Sequence, residues 1–275
     1  MAAFYIVMYN NIESIMYNNF GVEYHLVDSC NLNCAGCSHY SSLLVEKVCV
    51  SIETIVNDLG LLKTKVGDNL KWLRLLGGEP LLHPQICDCL NAIRELFPNT
   101  NISLVTNGLL LEKMPQEFYN ACLNCRIEIC ITDYGIIDLQ STIKKLKDIG
   151  INVRRYRNSS VWHYQHIRLT GERIDCLKKC AYKRICNNYR DGKIYLCPHI
   201  AYIEYFNKRF DKNIHLDETD YIDLNDVNSF EELIEKLRNV TPNFCYQYCN
   251  YYDKNHPKIG KWDRTKKDIN EFCLL

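Results

Sequence analysis

The chain has 275 residues, with 33 Lys and Arg against 33 Asp and Glu, 47% hydrophobic residues and 16 cysteines. Zero formal charge without a polybasic block argues against nucleic acid or an anionic membrane surface as partner, and no apolar run reaches the roughly 18 residues of a membrane-spanning helix. The opening ten residues lack the basic flank of a secretion signal, so the cysteines point to metal or redox use in a reducing cytoplasm rather than to disulfides.

The length suits one full domain and a smaller one, and residues 1–20 are taken as an N-terminal extension. Residues 22–27 read as a strand with Val22, Tyr24 and Leu26 on one face. The strand runs into Asp28-Ser29-Cys30-Asn31-Leu32-Asn33-Cys34-Ala35-Gly36-Cys37. Three thiolates in a C-x3-C-x2-C loop can hold three irons of a [4Fe–4S] cube and leave the fourth open, since a closed cluster has four cysteines. Catalytic metal sites keep such a position free, whereas structural ones close it. A zinc knuckle would draw on His39, but zinc sites pair two separated dyads.

A helix follows over 51–65, with Ile52, Ile55, Leu59 and Leu62 on one face and Ser51 as N-cap. The strand 72–76 ends at Gly77-Gly78-Glu79-Pro80. Two residues without a Cβ let the backbone approach a ligand closely, Glu79 supplies an acceptor and Pro80 stops the strand; alone, the segment is equally an ordinary turn. Then come a helix over 84–97, a strand over 102–106 ending at Asn107-Gly108, a helix over 118–123, a strand over 126–132, a helix over 139–149 closed by Gly150, and a strand over 151–156. Strands separated by helices imply right-handed parallel crossovers, with ligands gathering at the carboxyl ends of the strands. The cysteine loop, Gly77–Pro80 and Asn107-Gly108 all fall on that rim.

The triplet followed by Gly-Gly-Glu-Pro resembles the radical S-adenosylmethionine (SAM) superfamily. The resemblance implies an α/β fold, a partial (β/α)6 barrel over 21–160 with about six strand–helix units. It implies that SAM binds the open iron, is cleaved by an electron from the cluster, and yields a 5′-deoxyadenosyl radical that abstracts hydrogen. Gly77, Gly78, Glu79 and Pro80 would contact the SAM amino group. Ser103, Thr106, Asn107, Thr132 and Asp133 would hold ribose and carboxylate, each being equally an ordinary strand-end cap. The family's aromatic residue before the third cysteine is Gly36 here, so Tyr40 or His39 would pack on the adenine.

After residue 160 the alternation stops and Cys176, Cys180, Cys186, Cys197, Cys245, Cys249 and Cys273 follow. Residues 190–198 read as a β-hairpin turning at Asp191-Gly192, and 229–237 as a helix with Ser229 and Glu232 as a capping box. This arrangement resembles the small auxiliary-cluster domains called SPASM and twitch, over 161–275. Two ligand sets stay open: Cys180, Cys197, Cys245 and Cys249, or Cys180, Cys186, Cys197 and Cys249. A zinc site from the same residues is the alternative. Cys176 and Cys273 are read as spare thiols, and Cys49, Cys87, Cys89, Cys122, Cys125 and Cys130 as core.

By resemblance, a second [4Fe–4S] cluster would accept an electron from the substrate radical and leave a carbonyl. In an epimerase, a thiol such as Cys186 or Cys245 would instead return hydrogen. The expected substrate is a polar small molecule of sugar or cyclitol type, held by His39, Tyr40, Arg154, Arg155 or His163. A peptide is the alternative, disfavoured by the short stretch before the triplet. The electron donor would be a flavodoxin- or ferredoxin-like protein, and no glycine-rich fingerprint for flavin or nicotinamide is present. A non-enzymatic electron carrier or SAM sensor is the remaining reading, but carriers have four-cysteine clusters and need no Gly-Gly-Glu-Pro. A glycyl-radical activase would carry a ferredoxin-like insert, and none lies between Cys37 and Trp72.

Overall fold

In the computed structural model, residues 18–157, 167–175, 180, 186–250 and 262–275 are described. Strands β1 (Gly21–Val27), β2 (Trp72–Gly77), β3 (Asn101–Thr106), β4 (Glu128–Asp133) and β5 (Val153–Arg157) alternate with helices α1 (Ile52–Val66), α2 (Ile86–Leu96), α3 (Gln116–Asn124) and α4 (Gln140–Asp148). The five strands pair in parallel in chain order. On the far side of β1 the same sheet continues through β7 (Asn188–Arg190), β8 (Lys193–Tyr195) and β9 (Ile222–Asp223), giving eight strands. β7 is parallel to β1, while β8 and β9 run antiparallel. Five strands rather than six alternate with helices among the described residues.

Period-two alternation gives the sheet two unlike faces. Val22, Tyr24, Leu26, Leu73, Leu75, Ile102, Leu104, Ile129 and Ile131 bury against Ile55, Leu59, Leu62, Leu90, Ile93, Phe118 and Leu146 of the helices. The other face carries a row in register across four strands, Glu23, Arg74, Ser103 and Glu128. Further along it, Cys130 pairs with Arg154 and Thr132 with Tyr156. Parallel strands covered on both faces are normally apolar on both, so a charged row marks the face turned to a cavity.

Local chemistry sets the ends. Ser51 caps α1 by accepting from Thr54 N at 3.1 Å. Arg126 has φ 51°, which closes α3 and delays β4 to Glu128, two residues past its expected start. Asp191 and Gly192 have φ 50° and 74°, the left-handed pair of a tight hairpin turn. Ser229 caps α7 (Phe230–Asn239) through Glu232 N at 3.1 Å. The reciprocal arm of that capping box lands one residue further out, with Glu232 accepting from Asn228 N at 2.9 Å.

Two short helices, α5 (Pro198–Ala201) and α6 (Ile203–Phe210), follow the hairpin. They build a second core in which Tyr40, Ile200, Tyr202, Phe206, Phe244 and Phe272 meet. Near the C-terminus β10 (Cys273–Leu274) pairs with β6 (Ile167–Arg168) in a separate two-stranded sheet. Among the described residues no helix is long and apolar enough to cross a membrane.

Candidate functional site

The cysteine loop leaves the carboxyl end of β1 and is pinned by the segment that ends β2. Gly78 N donates to Val27 O at 2.8 Å and Glu79 N to Ser29 O at 2.9 Å. A Cβ on Gly77 would lie 1.9 Å from Val27 O, and one on Gly78 2.2 Å from Ser29 O. The glycines are therefore needed for backbone-to-backbone contact with the end of β1 and the start of the cysteine loop.

Glu79 is 0% exposed and accepts from Thr106 Oγ1 at 2.7 Å, Asn107 N at 2.9 Å and Leu81 N at 3.1 Å. Burial pushes its carboxyl up to about 7 against the pull of these three bonds. Gly77 and Gly78 line the central cavity and Glu79 and Pro80 do not. Glu79, expected at the SAM amino group, has its side-chain oxygens turned to a brace between the ends of β2 and β3. Asn107 extends the brace, donating from Nδ2 to Asn31 Oδ1 in the cysteine loop at 2.8 Å.

One cavity of about 1210 Å³ is lined by Cys30, Cys34 and Cys37, by Ser103, Thr106, Asn107 and Thr132, and by Cys180, Cys186, Cys197, Cys245 and Cys249. Both cysteine groups thus face the same space. Burial pushes the Cys30 and Cys34 thiols up to about 12 and raises Cys37 as well. Donors oppose it at each sulfur. Leu32 N reaches Cys30 Sγ at 3.4 Å and Trp262 Nε1 reaches Cys34 Sγ at 3.0 Å, while the backbone N–H groups of His39, Ser41 and Ser42 act on Cys37. A bound metal takes thiolates, so its affinity must overcome these raised values. Beside Cys37 the Ser42 hydroxyl is buried without a hydrogen-bond partner and lines the cavity.

His39 lines the cavity, its Nδ1 2.8 Å from Nε2 of the buried His25. Tyr40 does not. With φ 53° its side chain turns into the second core against Phe206 and Phe272, its hydroxyl 3.3 Å from His199 Nδ1, which corrects its placement beside an adenine. Asp133 is likewise turned away, ion-paired with Arg155 (2.9 Å to Nε), and neither residue lines the cavity. Arg154 does line it, 3.0 Å from Glu128, as does Arg74, 3.0 Å from Glu23. Cys130, expected in the core, is buried but lines the same wall. His163 and Cys176 lie outside the described residues.

In the second cysteine group burial pushes the Cys197 thiol up, and the nearby Cys186 and Cys180 add to the rise. The loop bearing Cys245 and Cys249 is held by Arg168, 1% exposed, which donates to Cys249 O at 2.5 Å and Tyr246 O at 2.8 Å. Nothing local in the sequence marks Arg168 or Trp262, since their partners lie 81 and 228 residues away. Among the described residues no three His, Cys, Asp or Glu side chains are gathered tightly enough for one metal ion. Ligands of a single zinc at 2.3 Å would place sulfurs about 3.8 Å apart, whereas a cube spreads one cysteine to each iron.

Residues 21–146 match the family described as a 4Fe-4S single cluster domain. Over 141 residues the chain is 32% identical to the GTP 3′,8-cyclase of Nostoc punctiforme, covering 50% of this chain and 40% of that one. The matched segment carries the cysteine triplet and Gly-Gly-Glu-Pro, the two motifs in which the chain resembles the radical SAM superfamily. A [4Fe–4S] cluster fits the loop in that segment: three thiols on one loop face one cavity, with an unpartnered hydroxyl beside them. The chain spans about 40% of the length of that curated relative. Among solved structures, BtrN in an open conformation aligns over 80% of this chain and 82% of its own at 12% identity and TM-score 0.40. SuiB of Streptococcus suis bound to precursor peptide SuiA aligns over 56% and 36% at 17% identity and TM-score 0.38. Scores of that size carry no argument about the reaction.

Proposed function

We propose that this chain is a radical SAM enzyme that abstracts hydrogen from a polar small molecule of sugar or cyclitol type and oxidises it through a second [4Fe–4S] cluster. The observation that carries the reading is the single cavity onto which Cys30, Cys34 and Cys37 and the group Cys180, Cys186, Cys197, Cys245 and Cys249 all open. When bound and reduced, the first cluster supplies the electron that converts SAM to methionine and a 5′-deoxyadenosyl radical. The chain holds that centre by the Glu79 brace and by the N–H groups at its sulfurs. A flavodoxin- or ferredoxin-like protein would deliver the electron.

The substrate class follows from the charged row beneath the cysteine loops. Arg74 and Arg154 keep 43% and 56% of their side chains exposed while already paired with Glu23 and Glu128. Alternating donors and acceptors of balanced charge suit hydroxyls and an amine, with Trp72 and Tyr156 on the same wall to cover ring C–H groups. The cyclase relatives are named for GTP, and a triphosphate would need cations beyond Arg74 and Arg154, which Glu23 and Glu128 already neutralise.

A second reading, epimerisation, is favoured by Cys186. Burial and the nearby charges of Glu23 and Cys180 keep it protonated against the pull of Arg74, as a hydrogen-atom donor requires. Turnover in deuterated water separates the two. A carbonyl product without solvent label supports oxidation. Product with one solvent deuterium and inverted stereochemistry sinks it and supports the thiol donor.

A further inference from the structure

We propose that Trp262, on a C-terminal strap across the cysteine loop, raises the reduction potential of the cluster held by Cys30, Cys34 and Cys37. The inference rests on that loop holding a cluster, and goes beyond it by giving a role to a residue far from every motif. The strap lies on the loop by backbone: Ala35 N donates to Asp263 O at 3.0 Å, Thr265 N donates to Asn33 O at 2.9 Å, and Cys34 and Arg264 form an antiparallel bridge. That clamp aims the Trp262 indole at the one sulfur between the two bonds, Nε1 standing 3.0 Å from Cys34 Sγ. The ring also leans on Tyr134, centroids 6.1 Å apart, just past the end of β4.

An indole N–H is a donor with no acceptor capacity, so it favours whichever state of the sulfur is more negative. One-electron reduction adds negative charge to the cluster and its thiolates. A fixed N–H dipole at Cys34 therefore stabilises the reduced state more than the oxidised one, and hydrogen bonds to sulfur are a recognised control of cluster potential. The strap is not a loose tail. Lys266 N donates to Glu271 Oε1 at 2.9 Å, and β10 then pairs with β6, where Arg168 grips the Cys249 loop. The same segment thus ties the first cysteine group to the second.

The test is an anaerobic redox titration of the reconstituted full chain without SAM, followed by electron paramagnetic resonance, with iron counted on every sample. Trp262→Phe keeps a ring and removes the donor. It is expected to retain full iron while the reduced-to-oxidised ratio at a fixed potential falls about three- to tenfold, tenfold being about 59 mV for one electron. The reduced wild type should show an exchangeable proton coupled to the cluster that the variant lacks, and Trp262→His, which keeps a ring N–H, should recover part of the shift. Full iron with an unmoved potential overturns the proposal. So does loss of iron in Trp262→Phe with an unmoved potential in the loaded fraction, which would make the strap merely structural. A wild type that assembles no cluster overturns the underlying reading instead, and the iron count tells the two failures apart.

Discussion

Glu79 shows how a motif residue can brace a site from a fully buried position. Its carboxylate satisfies the Leu81 and Asn107 N–H groups and the Thr106 hydroxyl in a fully buried position. Glu79→Ala leaves three buried donors without an acceptor, at about 1–3 kcal/mol each if nothing relaxes. The cofactor-free variant should therefore unfold at clearly lower denaturant than wild type, whereas a residue used only to hold SAM would leave that midpoint unchanged or raised. The pH dependence has a definite sign. The folded value of about 7 exceeds the ordinary 4.5, so between the two the folded chain holds the extra proton and stability falls as pH rises. The advantage of wild type over Glu79→Ala should shrink by on the order of 2 kcal/mol from pH 5 to pH 8. A constant difference, measured by chemical denaturation, would mean that Glu79 does not titrate in this window. The residue's importance was legible from Gly-Gly-Glu-Pro, but not its direction, because a carboxylate at a strand end looks the same whether it faces a ligand or a neighbouring strand.

At the scale of elements, the tightest constraint is the crossing of the cysteine loop and the end of β2. Gly78→Ala would drive a methyl to 2.2 Å from Ser29 O, so the loop must shift and first-cluster iron should be lost on reconstitution. Gly60→Ala, inside α1 with nothing within 4 Å of the added Cβ, is the control. It should stabilise by roughly 0.5–1 kcal/mol and leave iron uptake unchanged; equal iron loss in both variants would discredit the crossing. Periodicity and caps made the helices and strands readable, as Ser51 and Asp191-Gly192 illustrate. The α6 helix was not read, because Phe206 and Phe210 gain partners from Tyr40 and Phe272, and Tyr202 at its start from His25, all far off in the chain. Cys130 was readable in principle. With Ile129 and Ile131 facing the helices, strand alternation places it on the opposite face.

For the molecule as a whole, the sheet gathers two cysteine groups, more than 140 residues apart along the chain, around one cavity. The first group was legible because its chemistry is local, three thiols on one loop. The second was legible only as a set of candidates, since Cys180, Cys186, Cys197, Cys245 and Cys249 all line the cavity and spacing alone leaves both foursomes open. Long-range contacts such as Trp262 on Cys34 and Arg168 on the Cys249 loop left no mark in the sequence at all. The central claim is that the cavity lies between two four-iron centres, one of them open. Iron per chain after anaerobic reconstitution, typed by Mössbauer spectroscopy, tests it most directly. Wild type should hold about eight irons as two [4Fe–4S] clusters, and the triple Cys30→Ala, Cys34→Ala, Cys37→Ala variant about four with SAM cleavage abolished. Unchanged iron in that triple variant, or a wild type with four irons and zinc in place of the second cluster, would contradict the account.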